Sequence, residues 1–416
     1  MISSDSLEAV ARARTDRHFA VPFHTGYAFA QLPSLTQRLF DVGPSRMAES
    51  VVDAAPSPRT VITLLLDGFG WSFFERFADE LPFLRRILDS GRVSKLTAQF
   101  PSTTAADITT FHTGVPVGES GVFEWQYFEP TLGKIYLPLP NLVLSEDGVQ
   151  PGPREPGGAY PDTQLYPSLA AAGVRPYVYQ HRAYARSAFS RRVTRGAEMV
   201  AFKTLPEAVV TLSELLKEPG RSYHAVYFDV IDGISHRHGP DSRHLTAEIR
   251  ALFHLLEAEL APALSGRTDV LLLITADHGH IGVDAKDTIY LDERLPQLRS
   301  WLEVTPAGDP AVPAGSPRDQ FLYVRPEHLD EAEGSISAAL DGEATVHRTD
   351  ELIEMGMFGE VSERLRARLA PLVVLPRPGA MVWWREGGRF EVKFRGVHGG
   401  TSAEELEIPL LAWIPS

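Results

Sequence analysis

Phe100-Pro101-Ser102-Thr103-Thr104-Ala105-Ala106-Asp107-Ile108-Thr109-Thr110-Phe111-His112-Thr113-Gly114 reads as a turn feeding straight into a helix. Phe100-Pro101 breaks the preceding strand, Ser102 to Thr104 set hydroxyls at capping positions, and Ala105 onward is helix-compatible as far as Gly114. A hydroxyl placed there either caps a first-turn N–H or acts as a nucleophile. In the second case the free N–H groups and the positive end of the helix dipole stabilise an anion beside it. Taken alone, the stretch favours capping, because most serines and threonines at such positions only cap.

Outward from this stretch the chain alternates strand and helix. Upstream, Thr60–Leu66 is an apolar run of the kind buried on both sheet faces, and it ends in Asp67-Gly68. Apolar residues at Phe73, Phe77, Leu81, Leu84 and Leu88 predict one helix over 73–88 despite Pro82, and 93–98 leads back to the opening stretch. Downstream, helices are expected at 166–172 and 206–217 and a strand at 176–180. A second buried strand is expected over 224–231, ending in Asp232-Gly233. Leu245, Ile249, Leu252, Leu256 and Leu260 mark one face of a long helix. Val270–Ala276 is the third strongly apolar strand, ending in Asp277-His278-Gly279, and Ile408–Ile414 reads as a returning strand. The alternation predicts an α/β fold with a central, mainly parallel sheet flanked by helices. Residues 1–57, closing on Ala55-Pro56-Ser57-Pro58, read as a leader of low periodicity. Residues 58–416 read as one catalytic domain, with cap-forming insertions at about 129–163 and 284–390.

Composition narrows the function. Acids outnumber lysine plus arginine by 54 to 40, a net charge of −14, which argues against long nucleic acid or an anionic membrane as partner. It leaves room for a small anionic substrate where a metal reverses the local sign. The chain has no cysteine, so thiolate zinc sites and cysteine nucleophiles are excluded. No secretory signal and no apolar run of roughly 20 residues is visible, and a cytoplasmic location is expected. Oligomeric state is left open.

Three apolar strands therefore run out into Asp67-Gly68, Asp232-Gly233 and Asp277-His278-Gly279, and in open α/β sheets ligands sit beyond the carboxyl ends of strands. His236 lies four residues after Asp232, and His398 lies in the low-bulk Gly396-Val397-His398-Gly399-Gly400. Asp and His sets without cysteine suit zinc or manganese.

These motifs resemble those of the alkaline phosphatase superfamily, specifically its type I phosphodiesterase/nucleotide pyrophosphatase branch, with phosphonoacetate hydrolase as a relative. Asp67-Gly68 resembles the first metal aspartate of that family. Asp232, His236 and Gly239-Pro240 resemble its Asp-x-x-x-His-x-x-Gly-Pro element, Asp277-His278-Gly279 its Asp-His-Gly, and His398-Gly399 its last histidine ligand. The resemblance implies the same fold and two divalent ions, zinc foremost and manganese next. One ion would sit on Asp232, His236 and His398, the other on Asp67, Thr104, Asp277 and His278. Counting back ten residues from Gly114, as the family spacing implies, makes Thr104 the nucleophile, with Thr103 as its rival.

Departures bear on substrate. An asparagine that holds a phosphoryl oxygen in the nucleotide pyrophosphatases falls here on Trp125, with Gln126 able to donate instead. Their base-stacking aromatic is replaced by Ala105. Phe123, Trp125, Tyr127 and Phe128 form a possible aromatic wall, a buried core cluster being the alternative. His280 is a further candidate substrate contact. The expected function is a two-metal phosphodiesterase or nucleotide pyrophosphatase on a small phosphorylated substrate, working through a phosphothreonine. A phosphomonoesterase, a phosphonate hydrolase and a non-catalytic phospholigand-binding protein are the alternatives.

Overall fold

The computed structural model describes residues 1–15, 19–52, 57–145, 148–153, 158–306 and 308–415; Ala55 and Pro56 of the expected leader boundary lie outside them. Seven strands build the central sheet: β1 (Thr60–Leu66), β2 (Arg92–Thr97), β3 (Val174–His181), β4 (Glu198–Phe202), β5 (Arg221–Phe228), β6 (Val270–Thr275) and β7 (Glu407–Trp413). Their spatial order is β2-β7-β6-β1-β5-β3-β4. β1 pairs in parallel with β5 and β6, and β3 with β4 and β5; only β7 runs against its neighbours. β1 and β6 are buried along their whole length, which is why both read as unbroken apolar runs. The α/β architecture expected from the alternation is the one found.

Two elements differ from expectation. The predicted helix over 73–88 is two helices, Trp71–Phe77 and Pro82–Ser90. Pro82 has no N–H to continue a helix, but its fixed φ suits the first turn of a new one. The strand expected to reach Ile231 ends at Phe228, and a helix, α2 (Val230–His238), begins almost at once. Asp232 thus stands in the first turn of a helix rather than in a strand-end loop.

Among the described residues of the first 57 are the α-helices Ser4–Ala13 and Leu32–Leu39. Their flanks bond to β2: Ser3 N–H donates to Val93 O (2.8 Å) and Thr97 N–H to Tyr27 O (2.9 Å). Tyr127–Glu129, Lys134–Leu137, Leu142–Ser145 and Gly148–Pro151 form a four-stranded antiparallel sheet. A second four-stranded sheet (Gly315–Ser316, Asp319–Leu322, Ala344–Arg348, Leu372–Pro376) has its own small core around Leu322, Ile336, Leu372 and Trp384. Among the described residues no helix is long and apolar enough to cross a membrane.

Candidate active site

The opening stretch folds as helix α1 (Thr104–Thr113). Gly114, at φ +76°, ends it, donating its N–H to Thr110 O (2.8 Å). Thr103 is the N-cap: its Oγ1 accepts weakly from Ala106 N–H (3.5 Å) and donates to Phe123 O (3.0 Å). Thr104, the first helical residue, turns the other way. Its Oγ1 lies 3.2 Å from His278 Nε2 and 3.5 Å from both carboxylate oxygens of Asp67.

Asp67 follows β1, and Asp277 and His278 follow β6, so adjacent parallel strands deliver them to one edge. Gly68 takes φ +74°, a backbone state that favours glycine, and its N–H donates to Asp277 Oδ1 (3.0 Å). A Cβ at Gly68 would meet His280 Nε2 at 2.8 Å, so the residue must also be small. From α2, Asp232 and His236 sit one turn apart on one face, with Nε2 of His236 3.2 Å from Asp232 Oδ1. His398 Nε2 stands 3.6 Å from the same oxygen.

Three histidines carry a shared instruction. Nδ1–H of His236 donates to Gly396 O (2.7 Å), that of His278 to Gly279 O (3.1 Å), and that of His398 to Ser102 O (2.9 Å). Each bond leaves an Nε2 lone pair aimed into the cluster, the tautomer a metal ligand needs. Asp67-Asp277-His278, Asp232-His278-His398 and Asp232-His236-His280 each bring donor atoms within 4.8 Å of one another.

Charge at the site is unbalanced. Burial, reinforced by the neighbouring carboxyls Asp277 and Asp232, holds Asp67 well above the usual carboxylate range, and burial pushes Asp277 up to about 7. Burial alone would also raise Asp232, but His236 and His280 beside it hold it well below its ordinary value. Burial lowers His278 to about 3, and burial and His278 hold His398 well below the usual imidazole range. Asp277 Oδ2 and His280 Nδ1 are buried without a hydrogen-bond partner. Three converging carboxyl groups and the imidazoles of His236, His278 and His398, with orphaned donor atoms among them, fit divalent cations held by oxygen and nitrogen.

The remaining sequence candidates separate. Trp125, 48% exposed, and Gln126, whose Nε2 donates to Pro313 O (3.2 Å), line a groove of about 460 Å³ that also reaches Thr104, Asp232, His236 and His398. His280 lies behind Asp232, its Nε2 2.9 Å from Oδ1, and is not among the residues lining that groove. Phe123 and Tyr127 are fully buried and stacked at 4.8 Å, while Phe128 packs on Tyr323; of the four aromatics, only Trp125 lines the groove. The rest of the wall is Trp383 and Phe390, from the second inserted segment, and Phe394, just beyond that segment's expected end at about 390. Tyr227, whose hydroxyl donates to Asp67 Oδ2, was also missed. Its only signal was its place near the end of the strand preceding Asp232.

A family model described as type I phosphodiesterase / nucleotide pyrophosphatase matches residues 61–401. Among solved structures, murine ectonucleotide pyrophosphatase / phosphodiesterase 5, in an inactive form complexed with AMP, aligns with a TM-score of 0.63. The alignment has 18% identity and covers 85% of this chain and 87% of that one. Phosphonoacetate hydrolase from Sinorhizobium meliloti 1021, complexed with phosphonoacetate, aligns at 0.62 with 20% identity, covering 87% and 92%. At these identities the likeness is one of fold. No curated protein matches the chain in sequence.

Proposed function

The chain belongs to the type I phosphodiesterase/nucleotide pyrophosphatase family, whose members hydrolyse phosphoesters, and from that premise we propose a two-metal phosphodiesterase or pyrophosphatase with Thr104 as nucleophile. The observation that carries the reading is the position of Thr104: first residue of a buried helix, its hydroxyl against Asp67 and His278, on the groove that also holds Asp232 and His398. Asp232, His236 and His398 would hold one ion, and Asp67, Thr104, Asp277 and His278 the other. Bound zinc or manganese would supply the positive charge that makes a weakly acidic hydroxyl nucleophilic and neutralises phosphoryl oxygens.

The chain's own residues supply the rest. The Thr104 proton faces acceptors on Asp67 and His278. As the bond from Oγ1 to phosphorus forms, the bond from phosphorus to one ester oxygen breaks, giving a phosphothreonine that water then hydrolyses. The first-turn N–H groups of α1 and its positive dipole end favour the added negative charge. The AMP and phosphonoacetate of the two structural neighbours are small phosphorus-containing anions, in keeping with a small phosphorylated substrate.

The groove favours a diester over a monoester. Among the described residues no lysine or arginine lines it, whereas a monoester dianion asks for more compensating charge than a monoanionic diester. Bis(p-nitrophenyl) phosphate should therefore be cleaved with a kcat/KM at least about tenfold above that of p-nitrophenyl phosphate, roughly 1.4 kcal/mol of transition-state preference. A monoester preference would defeat the diesterase reading and leave the nucleophile standing.

A further inference from the structure

Arg318 lies in the turn between Gly315–Ser316 and Asp319–Leu322, inside the second inserted segment, and Glu405 lies in the short helix Ala403–Leu406 that leads into β7. Guanidinium and carboxylate meet through two bonds, Nε to Oε1 at 2.9 Å and Nη2 to Oε2 at 3.0 Å. Arg318 is 1% exposed and Glu405 fully buried. Nη1 of Arg318 donates to Arg377 O (2.8 Å) and Ala380 O (2.6 Å). Burial alone would raise the Glu405 carboxyl, but Arg318 beside it holds it below its ordinary value. Burying two charges is costly, and such a pair is often no more stable than apolar side chains of the same volume. What sets this one apart is what else the glutamate holds.

Glu405 bonds both loops that carry His278 and His398. Its Oε1 accepts Gly400 N–H (3.0 Å), two residues after His398, and its Oε2 accepts weakly from Ser402 N–H (3.4 Å). Its backbone O accepts Gly279 N–H (2.8 Å), next to His278. The 398–400 backbone is pressed so closely on the pair that a Cβ at Gly400 would meet Glu405 Oε2 at 2.7 Å and Arg318 Nη2 at 3.0 Å. Ser316, two residues before Arg318, adds a weak donation to His398 O (3.4 Å). The two imidazoles stand face to face, their centroids 3.6 Å apart. All of these bonds run within the chain, and neither Arg318 nor Glu405 lines the groove.

We propose that Arg318 and Glu405 are positioning residues for the metal ligands: the pair holds the His278 and His398 loops at ligand spacing ahead of ion binding. The second inserted segment thereby supports one ligand loop of each ion. The inference rests on the two-metal reading and adds the residues that prearrange the ligands.

The test compares two double variants of the full chain. Arg318→Met with Glu405→Leu removes the pair without leaving either charge buried alone. Arg368→Met with Glu129→Leu does the same to a buried pair (2.8 Å) whose arginine otherwise bonds the Gly121, Gly158 and Ala159 carbonyls and touches neither ligand loop. In competition with a chromogenic chelator, the first variant should raise the zinc Kd of at least one site about tenfold or more, and the second should stay within about threefold of the unaltered chain. An unchanged affinity in the first, or an equal loss in both, would overturn the inference. A second measurement needs no variant. In the metal-stripped unaltered chain, the Gly279 and Gly400 amides, followed by hydrogen exchange and mass spectrometry, should exchange within about tenfold of the rates of β1 and β6. Exchange as fast as that of exposed loops would equally overturn it. An unaltered chain that binds neither zinc nor manganese would overturn the two-metal reading, and this inference with it.

Discussion

Thr103 and Thr104 are adjacent and chemically identical, and the backbone alone separates their work. Thr103 has extended backbone dihedrals, so its hydroxyl turns back to cap α1 and to bond Phe123 O; Thr104 has entered the helix, and its hydroxyl turns out toward Asp67 and His278. Thr104→Ala should cost at least about a thousandfold in kcat with the fold intact. Thr103→Ala should keep activity within about tenfold while losing about 1–2 kcal/mol of stability, since a cap goes and a buried carbonyl loses its donor. Steady-state kinetics and urea titration of the two variants check both, and the reverse ranking would transfer the nucleophile to Thr103. At this scale Asp67 and Asp277 were legible because each ends an apolar strand. Tyr227 was not, because a tyrosine in a strand gives no sign of where its hydroxyl will land.

Between elements, the loop after α1 and the Asp319–Leu322 strand meet through two carboxyls. Glu124 accepts the backbone N–H groups of Trp125 and Gln126 and faces Asp319, whose other oxygen is held by Ser316. Burial pushes Glu124 up to about 8 and holds Asp319 well above its usual range, so at neutral pH the pair keeps a proton. A carboxyl raised in the folded state stabilises most when protonated. Its contribution is complete below the unfolded value near 4.5 and is lost as pH rises through about 8, at up to about 1.4 kcal/mol per pH unit. Glu124→Gln, which keeps a donor toward Asp319 without the titration, should therefore lose less stability than the unaltered chain between pH 6 and 8.5. Melting curves of the metal-loaded proteins across that range measure the difference, and parallel curves would rule the pair out as its source. Elements were legible where periodicity is strong, as in β1, β6 and the helix marked by Leu245 to Leu260. Pro82 divided a helix because its first-turn role resembles an interruption. The aromatic wall stayed hidden because Trp383, Phe390 and Phe394 lie in short irregular segments whose approach to Thr104 is purely tertiary.

Across the whole molecule, candidate metal-binding side chains from five stretches of the chain, Asp67, Thr104, Asp232 with His236, Asp277 with His278, and His398, meet at one end of the central sheet, and metal binding should consequently be coupled to stability. Protein prepared without chelator should carry about two zinc or manganese ions per chain by elemental analysis. Stripping them should lower the melting temperature by several degrees, because ions at a thousandfold excess over Kd stabilise by about 4 kcal/mol. A metal-free preparation as stable and as active as the loaded one would refute the coupling. The course of β7 through the sheet has a consequence of another kind, for the order in which the molecule is made. It is the last strand in sequence yet lies inside the sheet, between β6 and β2, and Lys95 on β2 meets Glu407 at 2.7 Å across 312 residues. A chain emerging from the ribosome can pair β1 with β5 and β6 early, but β2, bridged to Ile2 and Ala28, joins the central sheet only through β7. The threonine helix, which hangs from β2, can take its place against Asp67 and His278 only then. Assembly of the site is thereby deferred until residues 407–413 have been made, and nascent chains halted before residue 407 should expose β6 and β2 as open edges for chaperones to cover.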